Sequence, residues 1–181
     1  MRDIAEQAGV QAASLYYHFP SKAELLVAVY AKTAEQLIRN IFEAVNGIED
    51  PWKRLEAASA AHMRNNLEGS DYVQLVFMDV PRNIDVALRA RLTAQRDLYE
   101  DVFRQMIAEL PISRNVSPKY LLLTLFGAMA WARVWYRPGG DTPQRIAKKM
   151  VEIIRFGSDS SHASARVDRK HPGRRPAGHR R

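Results

Sequence analysis

The segment from residue 4 to residue 26 constrains the fold of this chain most, because it places two short helical patterns around one glycine. The first pattern ends at Gly9, whose missing Cβ permits the left-handed backbone of a sharp reversal. In the second pattern Leu15 and Phe19 fall four residues apart on an inward face. The segment therefore predicts two helices that cross at a steep angle, a helix-turn-helix.

The second of these helices turns small residues and tyrosines outward. Small side chains allow close approach to base edges, while tyrosine rings contact thymine methyl groups and their hydroxyls reach phosphates. The candidate base-reading residues are Ala12, Ala13, Tyr16 and Tyr17, and the candidates for holding the phosphate backbone are Ser14, His18 and Lys22. The aromatic residues could instead simply pack or face water, but the whole ordered set favours a surface that reads a DNA groove.

Residues 2 to 32 resemble the DNA-binding segment of TetR-family transcriptional regulators. The family pattern of Gly-Val, small residues, Leu-Tyr-x-His-Phe and Ser-Lys-x-Glu-Leu is matched by residues 9–10, 15–19 and 21–25. The resemblance implies base contacts by Arg2, Ala12, Ala13, Tyr16 and Tyr17, and phosphate contacts by Ser14, Tyr17, His18 and Lys22. Two positions depart from the pattern: Gln11 stands where the family usually has a capping Ser or Thr, and Ala13 where Gly is common.

The resemblance also implies a preceding helix that packs on the turn motif, and this chain starts after it. We therefore expect a head whose first helix is missing, with Ile4, Leu15 and Phe19 partly uncovered. A start site assigned too late, a shortened gene and a trimmed protein each account for this, and we favour the first. The rival interpretation is a dimeric helical small-molecule-binding protein whose DNA binding is impaired because the first helix is absent.

Composition excludes several classes of protein. The 181 residues include no cysteine, which excludes disulfides, thiolate zinc sites and cysteine nucleophiles. No apolar run is long enough to span a membrane, and the N-terminus has no signal-peptide pattern. We therefore expect a soluble cytoplasmic protein without a membrane partner.

Much of the net charge of +7 lies in the tail, residues 157–181, which hold seven basic and two acidic residues. Its Ser, Pro, Gly and His content predicts disorder. The tail either attaches to DNA non-specifically by counterion release or is a dispensable extension. By contrast, the charges of residues 1–32 cancel, so specific affinity there depends on placement.

The rest of the chain is predicted to be all-α. Ser21 and Glu24 form a capping box that opens a long helix, which links the head (1–32) to a ligand-binding and dimerisation body (33–156). Asp50, Ser117 and Thr142 each precede a proline, a combination typical of helix starts. The predicted helices of the body cover residues 51–68, 71–78, 84–110, 120–136 and 143–156.

The segment 120–136 is apolar nearly all round, so both of its faces need cover. One cover is the core, and we predict that the other is a second subunit, which the family resemblance also implies as a four-helix arrangement. The predicted interface residues are Leu125, Ala128, Ala132, Trp135, Ile146, Met150 and Ile154.

The resemblance implies an apolar effector cavity in the body. The candidate lining residues are Met63, Phe77, Tyr99 and Trp131, with Arg96 or Arg133 meeting an acid or phosphate, although ordinary core or surface is the more common role for each. Residues 134–140 resemble family members that respond to acyl-CoA thioesters. No catalytic motif, metal site or cofactor site is predicted, because the five histidines are scattered and phosphate loops are absent. We expect a dimeric repressor that binds an inverted-repeat operator and is released by a small apolar or acyl-CoA-like effector.

Overall fold

The computed structural model describes residues 1–69 and 84–158, and within these two ranges every regular element is an α-helix. The seven helices are α1 (Arg2–Gln7), α2 (Ala12–His18), α3 (Lys22–Val45), α4 (Pro51–Glu68), α5 (Val86–Ala108), α6 (Pro118–Trp135) and α7 (Pro143–Ser158). The all-α prediction is confirmed. The helix expected over 71–78 and most of the tail lie outside the described residues.

The turn between α1 and α2 forms as Gly9 predicts. Gly9 has φ +66°, in the left-handed region. Its N–H donates to the Glu6 carbonyl at 3.1 Å, and the Val10 N–H donates to the Ala5 carbonyl at 2.9 Å. These two bonds make a Schellman motif, which satisfies the last carbonyls of α1 and reverses the chain.

Helix α3 carries the chain from the head into the body. Its first turn is capped by the Ser21 hydroxyl, which accepts from the Glu24 N–H at 3.2 Å. The helix has 24 residues, so it extends about 36 Å. Its buried face includes Val27, Tyr30 and Leu37.

The body is built around α4, which packs against α3, α5, α6 and α7. Asp50 caps its start by accepting from the Lys53 N–H at 2.8 Å, and Thr142 caps α7 in the same way at 3.2 Å. Ser117 occupies the capping position of α6 but makes no side-chain cap bond. The fully buried large side chains of the core include Leu37, Ile41, Leu55, Met63, Phe103, Ile107, Leu125 and Met129.

Helix α6 has one buried and one open face. Leu121, Leu125 and Met129 point into the core. The opposite side, together with the outer side of α7, is apolar and exposed, and we call it the outer face: Tyr120, Leu123, Trp131, Val134, Ile153 and Phe156. No helix within the described ranges is long and apolar enough to cross a membrane.

Candidate nucleic-acid interface and interior polar cluster

Helix α2 presents the predicted groove-reading face to solvent. The Tyr17 side chain is 84% exposed and Tyr16 is 47% exposed, whereas Ala12, one helical turn before Tyr16, is half-buried. Leu15 and Phe19 are half-buried on the other side, as their spacing predicts. The helix therefore offers two phenol hydroxyls and two rings at one surface.

The predicted phosphate-holding groups surround this face. Ser14 and His18 lie on α2 itself and Lys22 begins α3, while Arg2, a predicted base contact, begins α1; all four are exposed. The His18 ring lies edge-on to the Tyr17 ring, with 5.1 Å between centroids. All eight predicted DNA-contacting residues thus lie in the compact unit formed by α1, α2 and the start of α3, and seven of them are exposed.

The body interior holds a polar cluster that sequence reasoning missed. The Nδ1 atom of His62 lies 2.9 Å from the Tyr99 hydroxyl. Phe103 and Phe126 pack on the His62 ring edge-on, with centroids 5.9 Å and 5.4 Å away. Burial lowers the pKa of His62 from 6.5 to about 3 and raises the pKa of Tyr99, so both groups are neutral at physiological pH.

The same face of α4 carries two further buried polar side chains, Ser59 and Asn66. The Asn66 amide Nδ2 donates to the Met129 carbonyl of α6 at 3.2 Å. Its Oδ1 atom and the Ser59 hydroxyl are buried without a hydrogen-bond partner among the described residues. We call Ser59, His62, Asn66 and Tyr99 the interior polar cluster. The helical spacing 59, 62 and 66 on an otherwise apolar face is the sequence signal that identifies it.

The predicted effector-lining residues do not come together at one place. Met63 and Tyr99 are buried in the core. Arg96 is half-buried and forms ion pairs with Asp97 and Glu100 of its own helix, at 3.6 Å and 3.4 Å. Trp131 is 64% exposed on the outer face. Phe77 lies outside the described residues.

The predicted interface residues divide by burial. Leu125, Ala132 and Ile146 are buried inside the protomer. Ala128, Met150 and Ile154 are half-buried, while Trp135 is 44% exposed. Trp135 and the side chains of the outer face present apolar area outward.

Two family models cover most of the chain. The model described as bacterial regulatory proteins of the tetR family matches residues 1–29. The model described as the tetracyclin repressor-like C-terminal domain matches residues 49–157, which is more than half of the sequence. The chain belongs to the TetR family of transcriptional regulators. It is therefore a DNA-binding regulator and not an enzyme.

Individual TetR proteins are similar over most of their length. The HTH-type transcriptional repressor KstR2 of Mycobacterium tuberculosis H37Rv is 27% identical over 164 residues, covering 87% of this chain and 81% of KstR2. The structure of AibR in complex with isovaleryl coenzyme A and operator DNA has a TM-score of 0.68 at 22% identity, covering 84% of each chain. FadR of Bacillus subtilis in complex with stearoyl-CoA has a TM-score of 0.70 at 17% identity, covering 83% of this chain and 84% of FadR.

Proposed function

We propose that this TetR regulator is a cytoplasmic repressor that binds an inverted-repeat operator as a homodimer and leaves it when an apolar, acyl-CoA-like molecule binds the body. The observation that supports this proposal is the groove-reading face of α2, where the exposed Tyr16 and Tyr17 lie on the same helix as exposed polar side chains. The similarity to KstR2, a repressor, and to the fold of two CoA-bound regulators supports the rest.

At the operator, α2 enters the major groove. Ala12 and Ala13 allow the helix to approach the bases, and the two tyrosines contact base edges and phosphates. Lys22 holds the phosphate backbone and Arg2 contacts base edges; among the described residues neither charged group forms an ion pair that would compete for it. This division assigns sequence preference to Arg2 and the two tyrosines, and general affinity to Lys22.

The outer face is the dimer interface, and its occupant is a second copy of the chain. Trp131 and Ile153 are 64% and 72% exposed on adjacent helices. Exposed apolar patches of this kind mark protein interaction sites, and large aromatic side chains anchor them. A two-fold axis between the copies also gives the two heads that an inverted repeat requires.

The effector occupies the interior beside the polar cluster. His62 and Tyr99 lie in this region, and Phe103 and Phe126 pack against the His62 ring. The apolar walls suit an acyl chain, while the buried polar atoms offer hydrogen bonds to its amide or hydroxyl groups. Arg96, three residues before Tyr99 on α5, is the predicted partner for a phosphate.

DNase footprinting on the DNA flanking the gene, at stated salt, tests the regulator proposal. We expect protection of an inverted repeat with half-sites about one helical turn apart. Tyr16→Ala should abolish the footprint without changing helix content by circular dichroism. Phe42→Ala is the matched control, because the exposed fraction of Phe42, 54%, is similar to the 47% of Tyr16, but Phe42 lies near the far end of α3. Equal binding of the chain to the repeat and to random DNA would favour the rival helical ligand-binding protein.

The interface is tested by light scattering at micromolar concentration. Ile153→Glu places a charge on the outer face and should shift the protein from dimer to monomer. Phe42→Glu makes the same kind of change outside that face and should leave the dimer intact. A monomeric wild-type protein would contradict the proposed assembly.

A further inference from the structure

Glu24, in the first turn of α3, is held by a residue 67 positions away in the chain. Both terminal nitrogens of Arg91, on α5, donate to its two carboxylate oxygens, with Nη2 2.9 Å from Oε2. Within the described ranges this is the one ion pair that joins residues 1–32 to α5. The hydrogen bond from Arg91 lowers the pKa of the Glu24 carboxyl. Because the planar guanidinium matches a carboxylate in two-pronged geometry, the pair fixes orientation as well as distance.

Glu24 also belongs to a second arrangement. In a capping box the side chain of the fourth residue returns to the backbone N–H of the first, which here is Ser21. Only half of the box is formed, since the Glu24 N–H donates to the Ser21 hydroxyl while the Glu24 carboxylate is engaged by Arg91. The carboxylate thus connects α5 to the turn that directly follows the recognition helix, which ends at His18.

We propose that Arg91 is a positioning residue for operator binding: through Glu24 it fixes the head against α5 of the body. This inference rests on the proposed function and adds its mechanical link. Helix α5 carries Tyr99 of the interior polar cluster eight residues after Arg91, about 12 Å along the same rigid helix. An effector that displaces Tyr99 therefore moves Arg91, and Arg91 moves the head or releases Glu24.

The pair controls binding far more than stability. Its side chains are 48% and 43% exposed, and ion pairs of that kind contribute little to folding free energy. Operator binding is more demanding, because two recognition helices must match half-sites about 34 Å apart. Without the pair, the recognition helix is held less firmly relative to α5, so this match is lost while the fold persists.

A double-mutant cycle on the full-length chain tests the proposal, using a duplex that carries the footprinted inverted repeat. Arg91→Gln and Glu24→Gln should each raise the operator Kd about tenfold, and the double variant should raise it no further. The melting temperature should change by no more than about 2 °C in each case. Arg104→Gln is the matched control on the same helix, because Arg104 pairs with Asp101 of its own helix, and its Kd should equal that of wild type.

Wild-type affinity in Arg91→Gln, or additive losses in the double variant, would overturn the proposal. The salt dependence separates positioning from direct contact: if Arg91→Gln lowers the slope of log Kd against log salt by about one, Arg91 binds a phosphate itself and the positioning role is wrong. A wild-type protein that does not discriminate the repeat would overturn the proposed function together with this inference. With specific wild-type binding intact, only the positioning role is at stake.

Discussion

Mild acid should destabilise this protein through a single buried ring, that of His62. The side chain is 3% exposed, and burial lowers its pKa from 6.5 to about 3. The folded protein therefore keeps the ring neutral at pH values where the unfolded chain binds a proton. Because the unfolded state binds more protons between pH 6.5 and pH 3, stability must fall as the pH decreases through that window.

The magnitude follows from the two pKa values. Within the window each pH step of one costs about 1.4 kcal/mol. Going from pH 7.5 to pH 5.5 begins above the window, so the expected loss for His62 is about 1.4 kcal/mol in total. For a protein of this size that loss corresponds to a decrease in melting temperature of about 3 to 6 °C.

Urea unfolding of wild type and His62→Gln at both pH values isolates this contribution. Glutamine retains hydrogen-bonding groups near the Tyr99 hydroxyl but does not titrate, and every other ionisable group is common to both proteins. Protein concentration must be equal throughout, because dimer formation contributes to apparent stability. The wild type should lose about 1.4 kcal/mol more than the variant between pH 7.5 and pH 5.5. An equal loss in both proteins would show that His62 is protonated in the folded state and refute the argument.

Three further predictions concern the fold. Phe103→Ala should lower the free energy of unfolding by about 3 to 5 kcal/mol, because Phe103 is fully buried, and this is measured by urea titration. Gly9→Ala should lower the free energy of unfolding, again measured by urea titration, by about 1 kcal/mol. The site has open space for a methyl group, but its φ of +66° is unfavourable for alanine. Asp50→Ala should cost about 1 kcal/mol, whereas Ser117→Ala should cost almost nothing, because only the Asp50 side chain caps its helix; equal losses would contradict the geometry.

Features set by neighbouring residues were predictable from the sequence. The turn at Gly9 depends on bonds that span five residues or fewer, and the caps at Ser21 and Asp50 depend on the residue three positions later. Such contacts are encoded in short spacings, which the sequence displays directly. Helix α4 accordingly begins and ends at the predicted residues, 51 and 68.

Features that depend on distant partners were not predictable in this way. Periodicity identifies the buried face of a helix only where polar residues mark the other face. Helix α6 lacks that contrast, so the sequence could not tell that Trp131 points outward while Leu125 points inward. Likewise the sequence identifies Glu24 only as a capping residue, because no nearby residue pattern indicates its ion pair with Arg91 on α5.

Helix α5 links the two parts of the molecule that a regulator must couple. Its inner side supplies Tyr99 and Phe103 to the aromatic packing around His62, and its first half supplies Arg91 to Glu24. A hydrogen bond of 2.9 Å between Arg91 and Glu24 is lost once the atoms separate beyond about 3.5 Å. A rigid shift of α5 by less than 1 Å along that bond, with the side chains held in place, is therefore sufficient to break it. Under the proposed function, effector bulk inside the cluster, more than any particular polar contact, should therefore determine whether the head is released.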